Sequence, residues 1–216
     1  MSYLLGIDSG TSVVKSVVFD LHGREVATAR REMPVINDGV RSEVDMNEAW
    51  ELAAGTVREV LQNIDASQVQ AVGICGTACG YWGVDQAGKP LRRAILWNDG
   101  RASSTLAGWQ ADGFYSHVFA VSGNAPFPGY PLALLCWLRD HEPLTLERTR
   151  WLLFHKDWLR AHLTGEYCTD ESDAAYFPGD LRSRDYSTAL LVEAGVSDAR
   201  RAMPSIHPSS QIVGYV

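Results

Sequence analysis

Apolar residues recur at two different periods along this chain, and the change of period marks its elements. Three β-rich runs stand in series at the start: Tyr3 to Asp8, Val13 to Asp20 and Glu25 to Glu32. The stretch "DLHG" (20 to 23) supplies the turn between the second and third, with Gly23 free to take positive φ. The period then lengthens. Trp50, Ala53, Ala54, Val57, Leu61 and Ile64 fall at helical spacing, and Asp45 with Glu48 three residues on forms a capping-box pattern ahead of them. Val69 to Cys75 reads as a buried strand beside the first, and "YWGVD" (81 to 85) as another before the turn "QAGK". Beyond Trp97 the pattern is mostly helical, over 102 to 110, 131 to 140 and 157 to 163, with Gly- and Pro-rich loops such as "SGNAPFPGYP" between. This order predicts an α/β unit: a mixed sheet flanked by helices, with helical insertions in the second half.

Composition removes several classes of function. With 46% hydrophobic and 21% charged residues in 216, the chain is an ordinary globular protein with enough length for a large core. A net charge of -7 argues against a nucleic-acid partner, and the Arg30-Arg31, Arg92-Arg93 and Arg200-Arg201 pairs read as solvated faces. Cysteines 75, 79, 136 and 168 form no CxxC and have no matching His spacing, so zinc and a disulfide framework are poor readings. No apolar run approaches the roughly 18 residues of a membrane span. The expectation is a soluble, cytoplasmic protein with no membrane partner.

One turn carries candidate chemistry. "LLGIDSGTSVVKSVVFD" (4 to 20) ends an apolar strand in Asp8 and inserts Ser9, Gly10, Thr11 and Ser12 before the next strand. A Gly-containing turn can aim backbone N–H groups at a phosphate. The hydroxyls of Ser9, Thr11 and Ser12 add donors, and Lys15 adds a cation. Asp8 alone would repel phosphate, and makes sense if Mg²⁺ stands between them. The plainer alternative is a β-hairpin whose Asp and Ser satisfy the turn backbone. No Walker A pattern is present.

"GIDSGTSVVKSVVFD" resembles the first phosphate motif of actin-like ATPases, and four further stretches resemble the FGGY carbohydrate kinases. These are "VGICGTACGYWGVDQAGKPLRRAILWNDGRA" (72 to 102), "SGNAPFPGYPLALLCWL", "HKDWLRAHLTGEYCTDESDA" (155 to 174) and "MPSIHPSSQIVGYV". The resemblance covers essentially the whole chain. It implies a ribonuclease H-like fold and an ATP-dependent kinase acting on a ketose or polyol, with 1 to 216 as its N-terminal lobe. It further implies MgATP in a cleft shared with a C-terminal lobe, Asp8 holding the metal through water, and Ser9, Gly10, Thr11, Ser12 and Lys15 lining the phosphates. Lys15 stands where many members carry Arg.

For the sugar, the resemblance points to Thr77, Ala78 and Cys79, where relatives carry larger polar side chains. It also points to Trp97, either a wall against the C–H face of the substrate or a core tryptophan. Asp99 is expected near the substrate and Arg101 as structural; Asp157, Asp170 and Asp173 read as caps and turn residues, and His155 is given no function. The small side chains at 77 to 79 predict a substrate other than glycerol or D-xylulose: a less common ketopentose or a four- to six-carbon polyol. The family's catalytic Asp lies in a Gly-rich turn that does not occur by Val216, so the isolated chain is expected to be inactive. A non-catalytic sugar- or partner-binding half-protein, or another actin-like ATPase, are the alternatives. Self-association into a homodimer is left open.

Overall fold

The structure, a computed structural model, describes residues 2 to 216. Strands β1 (Tyr3–Ser9), β2 (Val13–Asp20) and β3 (Glu25–Glu32) form an antiparallel meander, as the alternating pattern predicts. A small hairpin, β4 (Ile36–Asp38) and β5 (Arg41–Val44), leads to helix α1 (Met46–Val60). The Asp45 carboxylate caps α1 by accepting from the N–H groups of Asn47 and Glu48. β6 (Val69–Gly76) then returns parallel to β1, giving the sheet order β3-β2-β1-β6.

One face of this sheet is the core face. Leu5, Ile7 and Ser9 of β1 and Val14, Ser16 and Val18 of β2 are buried, as period-two alternation requires. α1 lies on that face through Ala49, Ala53 and Val60, and Ser16 Oγ meets Thr56 Oγ1 at 2.7 Å inside the contact. β6 is only partly covered, with Val72 37% exposed at the sheet margin.

β7 (Trp82–Val84) is a strand, but it does not extend the main sheet. It pairs with β9 (Trp151–Leu153), a partner too distant in sequence for local pattern to reveal, while β8 (Ala94–Ile95) pairs with β5. The helical half comprises α2 (Ser103–Asp112), α3 (Phe114–Ser122), α4 (Pro131–His141), α5 (Pro143–Arg148) and α6 (His155–Thr164). It is completed by β10 (Cys168–Asp170), α7 (Glu171–Ala174), the β11 (Gly179–Asp180) and β12 (Asp185–Tyr186) pair, α8 (Thr188–Glu193) and β13 (Ser205–His207). α2, α4 and α6 match the sequence expectation. α3 does not: it is a short helix set between left-handed Gly113 and Gly123, and it offers too few turns for a clear period.

Two apolar clusters result. One lies under the sheet around α1 and Trp158, the other around α4 with Phe154 and Phe177. Among the described residues no helix is long and apolar enough to cross a membrane, and all four cysteines are free.

Candidate functional site

The ends of β1 and β6 bring the predicted residues together. Alternation along β1 puts Asp8 on the open face and Ser9 in the core. Asp8 stands in register with Lys15 on β2 and Cys75 on β6, so a carboxylate and an ammonium occupy adjacent rungs. The Cys75 thiol donates to Asp8 Oδ1 at 3.4 Å, and burial together with that carboxylate pushes the thiol pKa up. Among the described residues Lys15 pairs with Glu25 alone, at 4.0 Å and partly exposed. Ser12 is exposed at the tip of the turn and Thr11 half-buried beside it.

Two phosphate assignments change. The Ser9 hydroxyl is fully buried and bonds His155 Nε2 at 3.0 Å, so it cannot face a ligand on the open side. The Gly10 N–H donates across the hairpin to Val13 O at 2.9 Å, which ties down one donor of the supposed phosphate nest. The turn that remains presents Asp8, Thr11, Ser12 and Lys15.

His155, given no role by sequence, holds Ser9 from below. Its ring is fully buried, stacks on Trp82 at 4.2 Å, and burial lowers its pKa to about 3. A histidine whose folded pKa lies below its ordinary 6.5 loses stability as pH falls below 6.5, because only the unfolded chain gains the proton. We expect the stability advantage of the wild type over His155→Gln to shrink by about 1.4 kcal/mol per pH unit below 6.5. Urea titrations between pH 7 and 5 read this directly; a constant difference would mean that the folded imidazole takes up its proton as readily as the unfolded one.

The sugar-side candidates divide. Thr77 and Ala78 are half-buried next to the turn, and the Thr77 N–H donates to Ser9 O at 3.0 Å. Cys79 is 4% exposed and sits at φ 68°, a left-handed conformation unusual for a residue with a side chain. Its thiol is inside the protein and offers nothing to the open face, contrary to the expectation of a substrate contact. Gly80 follows at φ 82°, and a Cβ there would lie 2.1 Å from Ile95 O. Trp97 is 46% exposed, which removes the core-tryptophan reading, and its indole N–H donates to Thr11 Oγ1 at 2.9 Å.

Asp99 is also corrected. It is fully buried, and its two oxygens accept from the N–H groups of Ser42 and Arg101 and from the Arg101 guanidinium at 2.7–2.9 Å. Burial alone would raise its pKa; the bonds from Arg101 and Ser42 outweigh that and hold it below the usual range. Arg101, which also bridges to Glu43, is structural as expected. Asp99 belongs to the same buried ion pair and fixes the loop that carries Trp97.

Sequence reasoning missed Lys156. Its ammonium lies 2.8, 3.2 and 2.7 Å from carboxylate oxygens of Asp157, Asp170 and Asp173. Asp157 and Asp170 do cap, receiving the N–H groups of Phe154 and of Ser172 and Asp173 respectively, but they also gather round this lysine. Burial pushes Asp173 up to about 6 despite the lysine beside it. The acids arrive from separate elements, so no local spacing signals the cluster. It abuts the end of β6, where a Cβ on Gly76 would be 3.2 Å from Lys156 N.

A profile of the FGGY family of carbohydrate kinases, N-terminal domain, matches residues 3–216. The chain belongs to that family. It is 32% identical to a probable L-xylulose kinase of Haemophilus influenzae, over 100% of this chain and 45% of that protein. It is 33% identical to a xylulose kinase of Escherichia coli K12, over 97% of this chain and 43% of that protein. The crystal structure of a xyloylose kinase from Brucella ovis superposes with a TM-score of 0.89 at 31% identity, covering 98% of this chain and 44% of that one. The chain therefore spans somewhat under half the length of these relatives. The mixed sheet with flanking helices is the actin-like ATPase fold that such kinases share.

Proposed function

We propose that this FGGY chain is the substrate- and phosphate-binding lobe of a kinase that transfers the γ-phosphoryl group of MgATP to a hydroxyl of a ketose or polyol. The observation that carries the proposal is the turn after β1, where Asp8 stands across from Lys15, Thr11 and Ser12 follow at the tip, and the indole N–H of the exposed Trp97 donates to Thr11. Phosphoryl transfer depends on positioning and charge neutralisation more than on covalent chemistry, and these residues are of the kinds that supply both. Asp8 suits Mg²⁺: it is an exposed carboxylate that among the described residues is engaged only by a weak thiol donor, and Mg²⁺ keeps several waters and takes substrate phosphates as further ligands. The bound ion would neutralise phosphate charge.

Thr11 and Ser12 donate to phosphate oxygens, and Lys15 adds a point charge without the bidentate fork of arginine. Thr77, Ala78 and Trp97 shape the sugar side, where the ring of Trp97 gives an apolar wall. Asp8 would hold the metal and Asp99 is buried in its ion pair, so neither serves as general base. The base and the adenine site are assigned to a second lobe, and the 216-residue chain alone should release no ADP in response to sugar. Four free cysteines suit a reducing compartment, which supports the cytoplasm.

The small side chains at 77 and 78 favour a substrate other than glycerol or D-xylulose, a less common ketopentose or a four- to six-carbon polyol. A panel of glycerol, erythritol, D-xylulose, L-xylulose and the ribuloses on the complete two-lobed kinase tests this. The highest kcat/KM should fall on a ketopentose other than D-xylulose or on a polyol longer than glycerol. Preference for glycerol or D-xylulose would overturn this reading of the pocket.

A further inference from the structure

Three side chains from separate segments meet between the phosphate turn and the sugar side. The indole N–H of Trp97 donates to Thr11 Oγ1 at 2.9 Å, and Thr11 Oγ1 lies 3.3 Å from Thr77 Oγ1. Trp97 keeps nearly half its surface in solvent, so packing alone does not fix its ring. Its backbone is fixed, because Gly129 packs so closely that a Cβ there would be 1.9 Å from Trp97 O. The ring then depends on the bond at its edge.

A threonine hydroxyl has one proton and two acceptor positions. With the indole N–H on one acceptor position, the proton is available to Thr77 or to an oxygen arriving at the turn. The Thr77 contact is long for an O–H···O bond, whose usual length is about 2.7–2.8 Å. An ionised phosphate oxygen is the stronger acceptor. A hydroxyl that donates strongly also becomes a better acceptor, by perhaps 10–30% per bond in a chain.

We propose that Thr11 is a positioning residue that couples the two halves of the site. Its hydroxyl holds the Trp97 wall, and donation of its proton to a nucleotide phosphate tightens that hold. Nucleotide and sugar then raise each other's affinity by the same factor, as linkage requires. This inference rests on the kinase reading of the site.

Two measurements test it. The first uses this chain and needs no activity: the ¹⁵N–¹H indole signal of Trp97, identified by its loss in Trp97→Phe. Thr11→Val should move that signal upfield and speed its exchange with water, and Thr11→Ser should restore both. The second uses the complete kinase: sugar affinity with and without a non-hydrolysable ATP analogue. Wild type should bind sugar about fivefold more tightly with the analogue present, at the lower end of typical coupling. Thr11→Val and Trp97→Phe should each bring that ratio near one, and Thr11→Ser should keep it. An indole signal unmoved in Thr11→Val overturns the contact, and a moved signal with the ratio intact overturns the coupling. A wild-type kinase with no sugar-dependent turnover would remove the kinase reading and the coupling together, while the indole signal still decides the contact.

Discussion

Replacing Asp8 by Ala in the complete kinase is expected to lower kcat by about 100-fold or more, the usual cost of losing one charge contact in the transition state. The reason lies in where β1 places this carboxylate. It sits on the open face, directly across from Lys15, and among the described residues no guanidinium or ammonium neutralises it at ion-pair distance. A carboxylate so placed next to a hydroxyl-rich turn destabilises bound phosphate unless a cation stands between. Removing it therefore removes the cation's anchor. Lys15→Ala should be milder, since a flexible ammonium is one donor among several. Steady-state kinetics at saturating Mg²⁺ check both, and wild-type kcat in Asp8→Ala would reduce the turn to a hairpin.

Lys156→Met is expected to destabilise the fold by about 3–5 kcal/mol at pH 7, the range for breaking a buried ion pair by deleting one partner. Three carboxylates converge on this ammonium, and Arg160 bonds only Asp157 among them, at 3.0 Å. Without the lysine, Asp173 and Asp170 face each other with no ammonium between them, and the already raised folded pKa of Asp173 rises further. The sign of the pH effect follows. Groups with raised folded pKa values bind protons in the folded state first, so the deficit of Lys156→Met relative to wild type should shrink as pH falls from 7 through the raised value near 6 toward 5. Chemical denaturation at both pH values checks it. A deficit that is constant or grows at pH 5 would mean the cluster is not charged as described.

The parts of this protein that sequence makes legible are those set by local period. β1 to β3 and α1 follow from alternation and from the Asp45 cap, and β6 from one apolar run. The same alternation puts Ser9 on the face of Ile7, so its burial is legible in the period of β1. Asp99 lay two residues from its partner Arg101, and spacing alone does not say whether such a pair is buried. What no local pattern carries is contact between distant segments: β7 on β9, His155 under Ser9, Lys156 among its acids, and Trp97 on Thr11. These depend on how the helical half folds back onto the sheet, and they decide which of the motif residues face the ligand.

The most direct test of the account is ADP release by the complete kinase, with MgATP, in the presence and absence of each ketopentose and polyol of the panel. Release should depend on sugar, saturate with it, and be absent from the 216-residue chain under the same conditions. Release at an equal rate with and without every sugar, or sugar-stimulated release by the chain alone, would contradict it.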